Sequence, residues 1–91
     1  MTEQALAPDA AAIAADLLAL LETRTRTELG TDQELFASGL VSSMFAMELI
    51  VHLEKNYDIA ITGPDLKLDN FRTVDRMTEL VLRLRGEAAD G

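Results

Sequence analysis

An all-α fold follows from three features of the sequence. Hydrophobic residues make up 48% and aromatic residues 4%, with a heavy share of Ala and Leu, a mixture that favours helix over sheet and is too apolar for disorder. Apolar residues recur at helical spacing near both ends of the chain. The one strand-like alternation, Tyr57, Ile59 and Ile61, has no second run to pair with, and an unpaired strand is not stable. Ninety-one residues and 9.9 kDa correspond to a single domain. Its core is expected over about residues 8–86, with flexible ends at 1–7 and 87–91.

The first helix is expected to enter at Pro8 and Asp9, because Ile13, Leu17, Leu20 and Leu21 then share one face. Its end falls between Thr23 and Leu29, with Gly30 available as a terminating glycine. From Gly30 to Val41 the period is lost, yet Leu29, Leu35, Phe36 and Leu40 are large apolar groups able to pin a long loop to the core. Ser42 and Ser43 precede fifteen residues free of Gly and Pro, Met44 to Asp58, enough for a second helix of about 22 Å. Tyr57 to Ile61 is expected as an extended loop with anchored isoleucines. Gly63 and Pro64 mark a turn, and Asp65 is positioned to cap a short helical turn through Leu68. Thr73 precedes a last helix carrying Val74, Met77, Leu80, Val81 and Leu84 on one face. Arg83 and Arg85 complement its negative end, Gly86 stands where a left-handed cap belongs, and Glu87 to Gly91 are expected to fray. Three substantial helices and one short one make a small bundle.

Composition excludes several functions. Without cysteine there is no disulfide framework and no thiolate metal site. A formal charge of −8 repels phosphate backbones and anionic membranes, so neither nucleic acid nor a membrane is an expected partner. No apolar run approaches the roughly 20 residues that span a bilayer, and a soluble, cytoplasmic, monomeric protein is expected. Asp65, Lys67 and Asp69 imitate calcium-loop spacing, but an ammonium at the middle position would expel the ion, and no metal site is expected. The single histidine, His52, lies mid-helix and reads as a surface residue rather than a general base. No serine has a base in a recognisable motif, so self-contained catalysis is not expected.

Chemistry concentrates where the long loop meets the second helix. Gly39 lets the chain turn, and a serine hydroxyl at a helix start lies beside unpaired amides and a positive dipole end, favourable for an attached anion such as phosphate. On spacing alone, the plainer reading is that one or both serines are simply N-caps. The helix behind them is apolar around most of its circumference. With Leu49, Ile50, Leu53 and Tyr57 inward, Met44, Met47 and Val51 remain as a strip flanked by Glu48 and Glu54, either a docking face or a surface covered by the rest of the chain.

Leu35, Phe36, Gly39, Ser43, Met44, Leu49, Leu53, Glu54, Tyr57 and Ile61 together resemble the acyl carrier protein family, which includes peptidyl and aminoacyl carriers. The match runs from about Leu29 to Leu84. The resemblance implies a four-helix bundle with a short third helix near Asp65 to Leu68. It also implies that a phosphopantetheinyl transferase converts one serine hydroxyl into a phosphodiester of 4′-phosphopantetheine, whose thiol carries an acyl group as a thioester. The domain would then catalyse nothing itself.

Two positions depart from the family pattern. Ser42 replaces the usual aspartate, so there are two candidate hydroxyls, and Met44 replaces the usual leucine. Counting three residues from Gly39 selects Ser42, whereas counting back from Leu53 and Glu54 selects Ser43. The second count is preferred, because packing fixes helix register while a loop absorbs an extra residue cheaply. Carriers resembling the D-alanyl carrier and the discrete carriers of unusual polyketide extender units share this longer loop. The segments Leu35 to Val41 and Asp65 to Val74 look like free-standing carriers of glyceryl-, hydroxymalonyl-, methoxymalonyl- or aminomalonyl-type units. That likeness implies loading and tailoring enzymes and a polyketide synthase acyltransferase or ketosynthase as partners. Met44, Met47 and Val51 would meet them, with Glu48 and Glu54 steering basic surfaces. An aminoacyl or peptidyl carrier is the alternative, and a non-catalytic helical adaptor using the same face is the reading from another class.

Overall fold

In the computed structural model residues 9–90 are described, with residues 87–90 as helical backbone only. Three helices, α1 (Ala10–Thr25), α2 (Ser43–Tyr57) and α3 (Val74–Asp90), are joined by a long loop and by a segment holding two short 3₁₀ turns, Gly63–Asp65 and Leu68–Phe71. No strand occurs among the described residues. Ile13, Leu17 and Leu21 of α1, Leu49 and Leu53 of α2, and Met77 and Val81 of α3 are fully buried against one another. Each buried leucine contributes about 2 kcal/mol by leaving water.

Asp9 starts α1 by accepting the Ala12 amide on Oδ1 at 2.9 Å, while Pro8 lies outside the described residues. The stop is not at Gly30. Arg26 adopts the left-handed conformation, φ 57°, and its N–H donates to the Glu22 carbonyl at 2.7 Å. The Glu22 carboxylate then accepts the Leu29 amide at 2.8 Å. The same device ends α2: Asp58 is left-handed, φ 54°, its N–H donates to the Glu54 carbonyl, and Glu54 Oε2 accepts the Ile61 amide at 2.9 Å. In both places a glutamate uses its carbonyl and its carboxylate to turn the chain out of a helix and lay an apolar residue back on the core. The partnered amides offset the strain of a non-glycine residue at positive φ, which is why no glycine is needed.

The long loop is held as expected, with Leu29 and Leu35 buried and Phe36 and Leu40 half-buried; Val41 is buried as well. Two backbone bonds tie it to the far end of the chain, Leu35 N–H to the Arg72 carbonyl at 2.9 Å and Asp75 N–H to the Thr31 carbonyl at 2.9 Å. Gly39 stands at φ +82° in the turn that delivers the chain to α2.

The short helix expected over Asp65 to Leu68 is replaced by two 3₁₀ turns with Leu66 and Lys67 between them in non-helical conformations. Asp65 does not cap a helix there, because its carboxylate is drawn 2.6 Å to Arg83 Nη2 on α3. Its carbonyl accepts the Asn70 side chain, at 2.9 Å, joining the two turns. Ile59 and Ile61 are anchored in an extended segment, as the alternation implies. At the other end, Gly86 is not a cap and α3 continues to Asp90. Arg83 and Arg85 fall before the last turn of α3, which carries no basic residue. Arg83 reaches Asp65, and Arg85 donates to the Tyr57 carbonyl at 2.6 Å, closing the C-terminus of α2 from a neighbouring helix.

Between α1 and α2, Tyr57 O–H donates to Asp16 Oδ2 at 2.7 Å, and His52 Nε2 lies 3.1 Å from the same oxygen. His52 is thus half-buried and partnered rather than a bare surface group. Burial alone would raise the Asp16 carboxyl, but the hydrogen bonds from Tyr57 and His52, with the electrostatic attraction of His52, outweigh it and hold it below its ordinary value. Burial, reinforced by the Asp16 charge, pushes the Tyr57 phenol well up.

An alanine Cβ at residue 39 would meet nothing within 4 Å, so Gly39→Ala tests backbone conformation alone. It is expected to cost about 1 kcal/mol in urea unfolding, with an unchanged denaturant slope. Tyr57→Phe removes the bond to Asp16 and is expected to cost about 1 kcal/mol near neutral pH. The lowered Asp16 carboxyl stabilises above its unfolded value of about 4 and loses this as pH falls through the folded value. The raised Tyr57 phenol stabilises below its unfolded value of about 10 and loses this on rising pH. The wild-type advantage should therefore be flat from about pH 5 to 9 and shrink on either side, as urea titrations at stepped pH would show.

Candidate functional site

The start of α2 separates the two serines by role. Ser42 is the N-cap, with extended backbone, and its Oγ accepts the Phe45 amide at 3.2 Å. Buried Phe45 anchors this first turn in the core. Ser43 is the first helical residue, exposed, and its hydroxyl has no hydrogen-bond partner among the described residues. α2 therefore begins one residue before Met44 and ends at Tyr57, with Asp58 as its cap. The expected spread of functions over two hydroxyls narrows to one that is committed and one that is available.

Ser43 opens onto an apolar groove of about 430 Å³ between α2 and the segment of the 3₁₀ turns. Ala46, Met47, Ile50 and Glu54 form the α2 wall, and Ile61, Leu66, Lys67, Leu68 and Phe71 form the opposite one. Of these, Ile61 and Phe71 are core residues at the groove's floor, whereas Leu66 and Leu68 stay half exposed. Phosphopantetheine fits this place on three counts: a free primary hydroxyl, the positive end of α2 behind it, and an open groove beside it long enough for part of a flexible arm. No group of three or more potential metal ligands occurs among the described residues. No helix among them is long and apolar enough to cross a membrane.

The strip expected on α2 is present on the outside. Met44 is 81% exposed, Met47 65% and Val51 50%, so the helix is not covered all round. Leu49, Leu53 and Tyr57 face inward and Ile50 is half-buried, as the helical register requires.

The two flanking acids differ from expectation. Glu48 is clamped by Arg24 of α1 through two parallel bonds of 2.9 Å each, and the guanidinium carbon sits 4.4 Å from the centroid of the Phe45 ring. The Arg24 hydrogen bonds hold the Glu48 carboxyl below its ordinary value. Glu54 is half-buried and holds the Ile61 amide. Both carboxylates thus serve contacts within the chain; Glu48 is charge-paired, whereas Glu54 is held by a neutral amide and keeps its charge. Sequence reasoning could not see this, since the partners stand 24 and 7 residues away. It also passed over Lys67, Leu66 and Leu68 as lining residues; the alternation Leu66, Lys67, Leu68 was the only local sign.

Comparison with known proteins agrees with this geometry. Residues 11–81 match the family described as phosphopantetheine attachment site. The D-alanyl carrier protein of Streptococcus sanguinis (strain SK36) is 37% identical over 54 residues, covering 59% of this chain and 68% of the relative. That of Streptococcus mutans serotype c is 35% identical over the same length and shares. That of Lactobacillus delbrueckii subsp. bulgaricus (strain ATCC BAA-365 / Lb-18) is 30% identical over 56 residues, 62% of this chain and 70% of the relative. These relatives are aminoacyl carriers by name. Matched over residues 11–81 and with a free serine at the head of α2, the chain belongs to the phosphopantetheine-attachment family of carrier proteins, non-catalytic scaffolds with covalent 4′-phosphopantetheine.

Proposed function

We propose that Ser43 is the attachment point of 4′-phosphopantetheine and that the protein carries a small polar acyl group, in first place an amino acid, between enzymes. The observation behind this reading is the division of labour at the start of α2, where Ser42 spends its hydroxyl on the Phe45 amide and Ser43 keeps its own exposed. In the modification the Ser43 oxygen bonds to phosphorus of coenzyme A, the phosphorus–oxygen bond to the nucleotide breaks, and adenosine 3′,5′-bisphosphate leaves. The serine proton passes to a base on the transferase. When bound, the arm supplies the thiol that a cysteine-free chain lacks.

The names of the relatives support an aminoacyl cargo. A malonyl-type extender unit is the second reading, favoured by the segments Leu35 to Val41 and Asp65 to Val74, which here are bound together through Leu35 and Arg72. The first needs a transferase and an amino-acid-loading enzyme, all in the cytoplasm; the second adds a polyketide acyltransferase or ketosynthase. Met44, Met47 and Val51 form the surface these partners would meet. Glu48 and Glu54 flank it; Glu48 is paired with Arg24, while Glu54 keeps its charge and holds the Ile61 amide on Oε2, so contact along the strip itself is chiefly apolar.

Incubation with coenzyme A and a broad-specificity transferase should add one phosphopantetheinyl group by intact mass. Ser43→Ala should abolish the gain, whereas Ser42→Ala should keep it and instead cost about 1 kcal/mol of stability through the lost cap. Loss of modification with Ser42→Ala alone would reverse the assignment. Mass spectrometry of the thioester-bound group from the producing cells separates amino acid from malonyl-type cargo. At the docking strip, Met47→Asp should lower the transferase's kcat/KM for this protein about ten-fold. Glu48→Gln should change it little, because that carboxylate is already paired.

A further inference from the structure

Among the described residues, Lys67 is the one basic side chain lining the groove onto which Ser43 opens. The carboxylates near it are engaged elsewhere. Asp65 pairs with Arg83, Asp69 with Arg72 and Arg76, and Glu54 with the Ile61 amide. Lys67 itself has no hydrogen-bond or ion-pair partner through its side chain. Its backbone, by contrast, is fixed: its N–H donates to the Asp65 carbonyl at 2.9 Å and its carbonyl accepts the Asn70 amide at 3.0 Å, holding the residue between the two 3₁₀ turns. In a chain with formal charge −8 and arginines that are mostly partnered, an unpaired ammonium on a fixed backbone facing the attachment groove is out of keeping with its surroundings.

We infer that Lys67 is a positioning residue for the arm, its ammonium pairing with the phosphodiester on Ser43 Oγ so that the arm lies over the groove between α2 and the 3₁₀ turns. This rests on Ser43 as the attachment point. The pairing is between a flexible lysine and a permanent monoanion at a solvent-exposed place, so it biases a population rather than locking it. The bias has a direction. A second concavity, of about 330 Å³, lies on the other side of the serines, lined by Gly39, Leu40, Val41 and Ser42 together with Arg24. Arg24 is already bound bidentately to Glu48 and stacked on Phe45, leaving Lys67 as the free cation to which the phosphodiester turns. The apolar wall of Ile50, Leu66 and Leu68 then receives the part of the arm beyond the phosphate.

The test compares backbone amide NMR shifts of the full chain before and after modification with coenzyme A, in the wild type, Lys67→Gln and Lys67→Arg. Complete mass gain at Ser43 is verified first; no gain there would overturn the attachment reading and this inference with it. With full gain, wild-type shift changes should gather at Ile50 and at Leu66 to Leu68. They should fall about two- to five-fold in Lys67→Gln, be retained in Lys67→Arg, and fade with added salt. The phosphorus resonance should differ between wild type and Lys67→Gln. Equal changes in Lys67→Gln, or wild-type changes gathered at Gly39 to Val41, would overturn the inference while leaving Ser43 as the attachment point. So would an effect of Lys67 seen only after loading with a carboxylate-bearing cargo.

Discussion

The hydrogen bond from the Phe45 amide to the Ser42 hydroxyl sets the first residue of α2, and much of the site depends on that choice. With Ser42 as the cap, Phe45 falls into the core, Leu49 and Leu53 follow one and two turns later, and Ser43 emerges at the surface with its oxygen unspent. A cap one residue later would have consumed the Ser43 hydroxyl on an amide of its own helix. The adjacent serines look equivalent as chemistry and differ only in backbone conformation, extended for Ser42 and helical for Ser43. Reactivity here is a matter of which hydroxyl the helix leaves over.

Around that start the chain is held by contacts that act across long stretches of sequence. Glu22 and Glu54 end their helices in the same manner and send Leu29 and Ile61 back onto the core. Those two returns define the long loop before Ser43 and the 3₁₀ segment opposite it. The segments are fastened to each other by the Leu35–Arg72 backbone bond and by the Glu34–Arg72–Asp69 charge cluster. Exposed ion pairs of this kind contribute little stability singly, but they share residues and so hold the long loop against the 3₁₀ segment that forms one wall of the groove.

The charge pattern has a different meaning in the fold from the one it has along the chain. An excess of acids suggests a surface that attracts basic partners, yet two acids beside the docking strip are spent internally, Glu48 on Arg24 and Glu54 on a backbone amide. The exposed strip of α2 is chiefly apolar and adaptable, Met44, Met47 and Val51. The net charge of −8 acts at long range, whereas this strip itself carries no charge.

The sequence by itself determined the all-helical class, the positions of α1, α2 and the start of α3, and the inward faces of all three. These depend on a period of 3.6 residues and on cap chemistry, and both are local. Gly39 as a turn is legible in the sequence too, as is the meeting of the long loop and α2 at the two adjacent serines. Packing selects which serine is free and, within the expected end of α1 between Thr23 and Leu29, makes Arg26 rather than Gly30 the left-handed stop. The fold also carries α3 past Gly86 and has two 3₁₀ turns where a short third helix was expected, with Asp65 paired to Arg83. Those outcomes depend on partners far along the chain, Arg24 for Glu48, Arg83 for Asp65 and Arg85 for the Tyr57 carbonyl. A charged or capping side chain has several possible neighbours in one dimension, and only packing selects among them.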